Sequence, residues 1–285
     1  MPLPVPHMMQ IRDRSFTWGH QTYLMGILNV TPDSFSDGGE FNTLETAIGQ
    51  AQQMLAAGVD SIDIGGQSTR PGAIEVSPAT ERDRVIPIIQ KLREISSIPI
   101  SIDTNRAEVA QAAIEAGADL VNDVSGGTHD RQMLPVVAQL GVPIILMHMR
   151  GTPQTMQTLT DYDDLMGELR QWLQQQVQAA IDAGISPDRI ILDPGIGFAK
   201  THDQNLEILR QLPQLRSLGY PLLVGVSRKS FIGRILDRND PKDRVWGTAA
   251  ACTAAIGGGA DILRVHDVAP LWDVCRVADA IWRNS

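Results

Sequence analysis

The stretch "EAGADLVNDVSGG", residues 115–127, decides the fold, because two others repeat its plan: "AAGVDSIDIGG" at 56–66 and "GGGADILRVHD" at 257–267. Each reads as a helix end, a Gly suited to the left-handed cap, a small residue, an Asp and then a short apolar strand. Three copies of one helix-to-strand turn imply that the same end of one structure is built three times. Outward from these turns, eight short apolar runs recur: "TYLMGILNV" (22–30), "SIDIGG" (61–66), "IPISIDT" (98–104), "LVNDVS" (120–125), "VPIILMHM" (142–149), "IILDPG" (190–195), "PLLVGVS" (221–227) and "ILRVHD" (262–267). Segments with helical spacing of apolar residues separate them, such as "TLETAIGQAQQMLAAG" and "DDLMGELRQWLQQQVQAAIDAG", each long enough for a crossover helix. Nearly all-apolar strands are what parallel strands covered on both faces require, so the expectation is a closed (β/α)8 barrel, the TIM-barrel class of α/β protein. An open doubly wound sheet is the rival; it needs fewer strands and usually a Gly-rich first turn, and no G-x-G-x-x-G follows the first run. No linker or change of composition splits the chain. It is read as one catalytic domain over 21–285, preceded by an N-terminal extension, residues 1–20, expected to be a loose tail.

The totals bound the partners. With 285 residues, 43% hydrophobic and 5 Trp, the chain can bury a substantial core. A formal net charge of −9 argues against a general affinity for nucleic acid or an anionic membrane, so any basic site must be local. Cys252 and Cys275 are the only cysteines, and neither lies in a spacing that zinc uses. The segment "MPLPVPHMMQ" has no apolar core of signal-peptide length. A cytoplasmic location is expected.

Ligands of such barrels lie at the C-terminal ends of the strands, and polar residues collect there. Asn29 ends the first strand, Asp103 the third, Asn122 the fourth and Asp193 the sixth; Lys229 follows the seventh, and Arg264 and His266 close the eighth. Any one could be structural, as a helix cap or a buried hydrogen-bonded group. Asp103 and Asp193 are acceptors and Asn122 is both donor and acceptor, a set suited to a planar heterocycle with amide or amidine edges. Lys229, Arg264 and His266, with Thr69 and Arg70, form a local cationic cluster fit for phosphate or pyrophosphate. Arg264 and His266 stand two apart and so point the same way; their bland alternative is an ion pair with Asp267 or Asp261. Two strand-to-helix connections, "NVTPDSFSDGGEFNT" and "GGQSTRPGAIEVSP", exceed the usual 2–6 residues and read as binding loops.

Together "GILNVTPDSFSDGG", "GGQSTRPG", "SIDT", "VNDVSGG", "LMHMRGTPQTMQ", "DPGIGFAK", "SRKSFIG" and "RVHDV" make the chain resemble the dihydropteroate synthases, over residues 22 to 283. Gln67 stands where the family often has Glu. The resemblance implies a folate-pathway transferase that condenses 6-hydroxymethyl-7,8-dihydropterin pyrophosphate with p-aminobenzoate, giving 7,8-dihydropteroate and pyrophosphate. Pyrophosphate would leave first, and the amine would capture a pterin carbocation. It implies a pterin pocket of Asp103, Asn122, Asp193, Lys229 and Arg264, and a pyrophosphate site of Asn29, Thr69, Arg70, Arg264 and His266. Phe35, Thr69, Pro71 and Ser230 would hold p-aminobenzoate, and Asp37 on a first-loop lid would face the cation, with Asp37, Lys229, Arg264 and His266 as the catalytic set. Mg²⁺ on Asn29, a homodimer and a sulfonamide target follow from the same resemblance. The small-residue segment "WGTAAACTAAIGGGA" could equally pack on a second subunit or on its own barrel. The rival function is a pterin-holding barrel of the corrinoid methyltransferase type, which forms no such bond and is not expected to carry both "STRPG" and "SRKSF".

Overall fold

The computed structural model describes residues 8–31, 40–70 and 72–283, with the backbone alone for 40–43. Among them, eight parallel strands make one sheet: β3 (Tyr23–Asn29), β4 (Ser61–Gly65), β5 (Ile100–Asp103), β6 (Leu120–Asp123), β7 (Ile144–Met147), β8 (Ile190–Asp193), β9 (Leu223–Val224) and β10 (Ile262–Val265). Their order is β8-β7-β6-β5-β4-β3-β10-β9. A parallel bridge between Leu192 and Leu222 joins the two ends of that order and closes the barrel. The eight apolar runs are therefore the eight strands. Between them lie helices α1 (Glu40–Ala56), α2 (Pro78–Ile95), α3 (Ala107–Glu115), α4 (Met133–Leu140), α5 (Leu165–Asp182), α6 (His202–Gln211), α7 (Pro213–Arg216), α8 (Ser230–Leu236), α9 (Val245–Gly257) and α10 (Val268–Trp282). None of the described helices is long and apolar enough to cross a membrane.

The strand period of two sorts the core into shells. Leu24, Leu28, Ile62, Ile64, Ile100 and Ile102 belong to the large cluster that the helices cover. The alternate residues Tyr23, Met25, Leu120, Ile145, Ile191, Leu223 and Ile262 fill the inside of the barrel.

The repeated turns behave as their composition demands. Gly58, Gly117 and Gly259 have φ of +83°, +116° and +95°, the left-handed cap that a side chain disfavours. The Asp two residues on then reaches sideways to the neighbouring strand. Asp60 accepts the Leu24 N–H at 2.8 Å, Asp119 that of Ile100 at 2.8 Å and Asp261 that of Leu222 at 3.0 Å. Each staple satisfies a backbone donor that would otherwise stand bare at the start of a strand.

The expected loose tail is, from Met8 onward, something else. β1 (Met8–Ile11) and β2 (Arg14–Thr17) form an antiparallel hairpin. Its Met9, Ile11 and Phe16, followed by Trp18, plug the N-terminal mouth of the barrel against Tyr23 and Met25. The Phe16 and Tyr23 rings lie 4.7 Å apart. Arg12 reaches Asp119 at 3.0 Å, and Arg14 reaches the Val59 and Asp60 carbonyls. Alternation over only four residues at a time carries too little periodic signal to reveal such a plug.

Candidate active site

At the opposite rim, β4, β5, β6, β8 and β10 deliver polar side chains inward. The center is Arg264. Its Nε donates to Asp63 and its terminal nitrogen to Asp103, both at 2.6 Å. Asp63 also accepts from Asn122 Nδ2 at 3.0 Å. Side chains from four strands thus form one charged network. Asp63, Asp103, Asn122 and Asp193 are all buried, so each needs these partners. Arg264 does not pair with Asp267 or Asp261. Those two carboxylates hold Arg228 and Arg216 instead.

Desolvation sets the charges. Burial raises the Asp103 carboxyl to about 7, against the pull of Arg264 and with the repulsion of Asp63. Burial likewise lifts Asp193 to about 6, although the Gly195 N–H, Lys229 and Arg264 favour its ionised form. Lys229 is lowered to about 8, first by burial and then by Arg264, and is supported by Asp193 and Asp103. Arg264 thus acts on Asp103, Asp193 and Lys229, and both carboxylates favour the charged form of Lys229. The Lys229 ammonium also lies 4.4 Å from the center of the Phe198 ring, a cation–π contact.

Asn29 ends β3 beside them: a methyl built on Gly65 would lie 3.6 Å from both Asn29 Oδ1 and an Asp103 oxygen. Arg70 is close enough to His266 to disfavour its protonation. His266 itself departs from the expected cationic role. Burial, followed by Arg228, Arg264, Lys229 and Arg70, pushes it down to about 3, so the ring is neutral near pH 7. Ser227 Oγ accepts the His266 backbone N–H at 3.1 Å and lies 3.0 Å from Nδ1. Ser227 Oγ, which accepts that backbone N–H, can give its own proton to Nδ1; in that tautomer Nε2–H is the donor. An anion here would meet a neutral N–H donor beside cations.

Ser230 is exposed at the first turn of α8 and Thr69 is half-buried in the second long connection. Asp37, Phe35 and Pro71 lie outside the described residues. Among the described residues no group of three or more His, Cys, Asp or Glu side chains converges as a metal cage. Three buried polar residues at or near this rim escaped sequence reading. Asp63 is the partner of both Arg264 and Asn122, yet it sits mid-strand in "SIDIGG" rather than at a strand end. Its inward register, two before Gly65, was the available signal. Lys200 and His148, at 2% and 1% exposure, form a pair at 3.0 Å that no short spacing announces.

Comparison with known proteins gives the site its relatives. The chain matches the pterin binding enzyme family over residues 25–266. It is 63% identical over 282 residues to the dihydropteroate synthase of Synechocystis, covering 99% of this chain and 96% of that one. The dihydropteroate synthase of Clostridium difficile, solved in the presence of pteroic acid, superposes with a TM-score of 0.90 at 46% identity, over 94% of this chain and 100% of that one. That of Xanthomonas albilineans with 4-aminobenzoic acid does so at 0.90 and 42%, over 96% and 98%. Nothing in these likenesses favours the corrinoid methyltransferase reading. A rim that joins Asp63, Asp103, Asn122, Asp193, Lys229 and Arg264, on a barrel matched over nearly its whole length, places the chain in the dihydropteroate synthase family of pterin binding enzymes.

Proposed function

We propose that this rim condenses 6-hydroxymethyl-7,8-dihydropterin pyrophosphate with p-aminobenzoate, and that the residues divide the work as follows. Ionised Asp193 accepts hydrogen bonds from the 2-amino and N3–H edge of the pterin. Asn122 and Asp103 meet the remaining ring edges, and Lys229 donates to the ring from the side that Phe198 supports. A ring lacking the matching donors would leave Asp193 unpaired, at a cost of about 1–3 kcal/mol. The observation that carries this reading is the double anchorage of Arg264 on Asp63 and Asp103, which holds one guanidinium fixed between the ring pocket and the rim.

The diphosphate lies where Arg264, the His266 Nε2–H, Arg70, Thr69 and Asn29 converge. Fixed donors aimed at a leaving group stabilise the charge that grows on it as its bond to the pterin methylene breaks. Pyrophosphate departs with the bonding electrons, the pterin ring carries the positive charge, and the neutral aniline nitrogen captures it and then loses a proton. No strong base is needed, in keeping with a His266 whose hold on a proton is lowered to about 3. Asn29 supplies a hard amide oxygen beside the diphosphate, which fits a magnesium ion that keeps several waters and takes its other ligands from phosphate. Such an ion would add Lewis-acid stabilisation of the leaving group. Ser230 and Thr69 flank the p-aminobenzoate side.

The chain acts as a homodimer in the cytoplasm. Free, buried Cys252 and Cys275 suit a reducing compartment. Buried Thr248, Cys252, Ala255 and Ile256 fix one face of α9 on the barrel. Trp246, Val277, Ile281 and Trp282 remain 59% exposed or more, an apolar surface of the kind a second subunit covers. Sedimentation at micromolar concentration checks this; a monomer for the native chain refutes it.

The deciding experiment incubates the purified chain with the pterin pyrophosphate, p-aminobenzoate and Mg²⁺ and follows dihydropteroate and pyrophosphate. Equimolar formation of both is expected. Binding of the pterin without product would refute the condensation.

A further inference from the structure

One pair of buried titratable groups has no part in the scheme above. Lys200 Nζ sits 3.0 Å from His148 Nδ1 and donates to the Phe198 carbonyl at 2.9 Å. Both side chains are sealed from solvent. The ring of His148 packs edge-on against Trp172 at 4.9 Å and near Tyr162 at 6.2 Å.

The pair lies at the root of the segment that bears the pterin ligands. The His148 N–H donates to the Asp193 carbonyl at 3.0 Å, and the Asp193 carboxylate accepts the Gly195 N–H at 2.7 Å. Gly195 has φ +70°, and a methyl there would meet the His148 carbonyl oxygen at 1.9 Å. The chain then turns back through a Phe198 N–H to Gly195 carbonyl bond of 3.1 Å and the left-handed Ala199, φ +50°. Asn205 and Tyr162 hold Gly197 and Ala199 by their backbones. Lys200 closes this loop onto His148, and the Phe198 ring so fixed is the one beneath the Lys229 ammonium.

We propose that Lys200 is a positioning residue of the pterin subsite: with His148 it latches residues 193–200 in the shape that presents Asp193 and Phe198, and it supplies a positive charge behind the Asp193 carboxylate. The inference rests on the pterin reading of the rim and deepens it. A charged Lys200 has only N–H donors to offer, so while it keeps its proton Nδ1 of His148 is the acceptor and the ring is neutral. Burial, then Lys200 and Arg150, hold it down to about 2. The charged groups that act on Lys200 are Asp193 from β8, Arg150 from the segment after β7, and Lys229 before α8. Burial is the largest influence and brings it to about 7, while Asp193 favours its charge. In return Lys200, with Lys229 and Arg264, favours the ionised Asp193.

The test measures calorimetric binding of the pterin pyrophosphate to the full chain between pH 5 and 8. Lys200→Met is expected to weaken binding about tenfold, as a small misplacement of a ligand-bearing loop does. It should also move the acid limb, where Asp193 takes up its proton, to higher pH. An affinity within twofold of the native chain overturns the latch, and an unmoved limb overturns the role of the charge. Should Lys200→Met fail to fold, the His148 variants decide the same question. His148→Asn keeps an acceptor near the Nδ1 position and should bind within about threefold, whereas His148→Leu should lose about tenfold. Equal losses in the two overturn the proposal. No binding by the native chain at any pH sinks the pterin reading itself, and the latch with it, which separates that failure from the latch failing alone.

Discussion

At the lower end of the barrel Asp119 has both carboxylate oxygens engaged, one by the Ile100 N–H and Arg93, the other by Arg12 of the hairpin. At the upper end Asp193 receives the Gly195 N–H, and Asp63 Oδ1 is buried without a partner among the described residues. The same residue type stands at both rims of one set of strands. Below, the partners are supplied in full by the chain, so the carboxylates act as staples between strands. Above, the positive partners stand inside a desolvated mouth, where two carboxyls are raised to about 6 and 7, and part of the hydrogen-bonding capacity is left over for the proposed pterin. A barrel can afford such an upper rim because the lower one and its plug are closed.

The largest effects are expected at the two networks of an arginine on buried carboxylates. Arg264→Met should lower turnover about a thousandfold and cost about 3–5 kcal/mol, because two buried carboxylates lose their cation. Arg216→Met, below, should cost no more than about 2 kcal/mol, since that arginine is 39% exposed, and should leave turnover per folded molecule unchanged. Urea unfolding and steady-state rates on both variants check this, and a deep loss of turnover in Arg216→Met would undo the distinction.

Two glycines sharpen it. Gly195→Ala must displace the His148 carbonyl, and turnover should fall about a hundredfold. Gly58→Ala meets Trp272 Nε1 at 2.8 Å at φ +83°; it should cost about 1–3 kcal/mol with the rate kept. Asp119→Asn weakens the staple alone, and should cost about 1–3 kcal/mol of stability without altering either Michaelis constant. The smallest effect is that of pH. Asp193 is raised to about 6, so pterin affinity should halve near that value and fall about tenfold one unit lower. The sign for the free chain is opposite. A carboxyl raised on folding binds its proton more tightly when folded, so this group adds stability as pH falls through about 6 toward the ordinary 3.8. Calorimetric titration at each pH measures the first trend and thermal unfolding the second.

Much of this was readable in advance because it is written in near neighbours. The Gly–x–Asp turns at 58–60, 117–119 and 259–261 announced the lower rim, and the polar ends of apolar runs announced Asp103, Asn122, Asp193, Lys229 and Arg264. The pairing of Arg264 was not readable, since nothing local distinguishes Asp63 or Asp103 from Asp261 or Asp267 as its partner. Nor was the neutral state of His266, which depends on Arg228, Lys229 and Arg70 arriving from other loops. The plug formed by Met9, Ile11 and Phe16 was hidden for a related reason: its strands are short and gain their burial only from the finished barrel.

By itself, then, the order of residues determined the alternation of strand and helix, the face on which polar groups gather and, through its motifs, the family. The first two depend on period and on backbone geometry within a few positions. Only closure of the barrel decided which charges neutralise which, as with Arg264 and Asp63 across 201 positions, or which buried lysine stands behind Asp193. Those choices follow from desolvation and register at a point where eight strands meet, and no stretch of one strand contains that information.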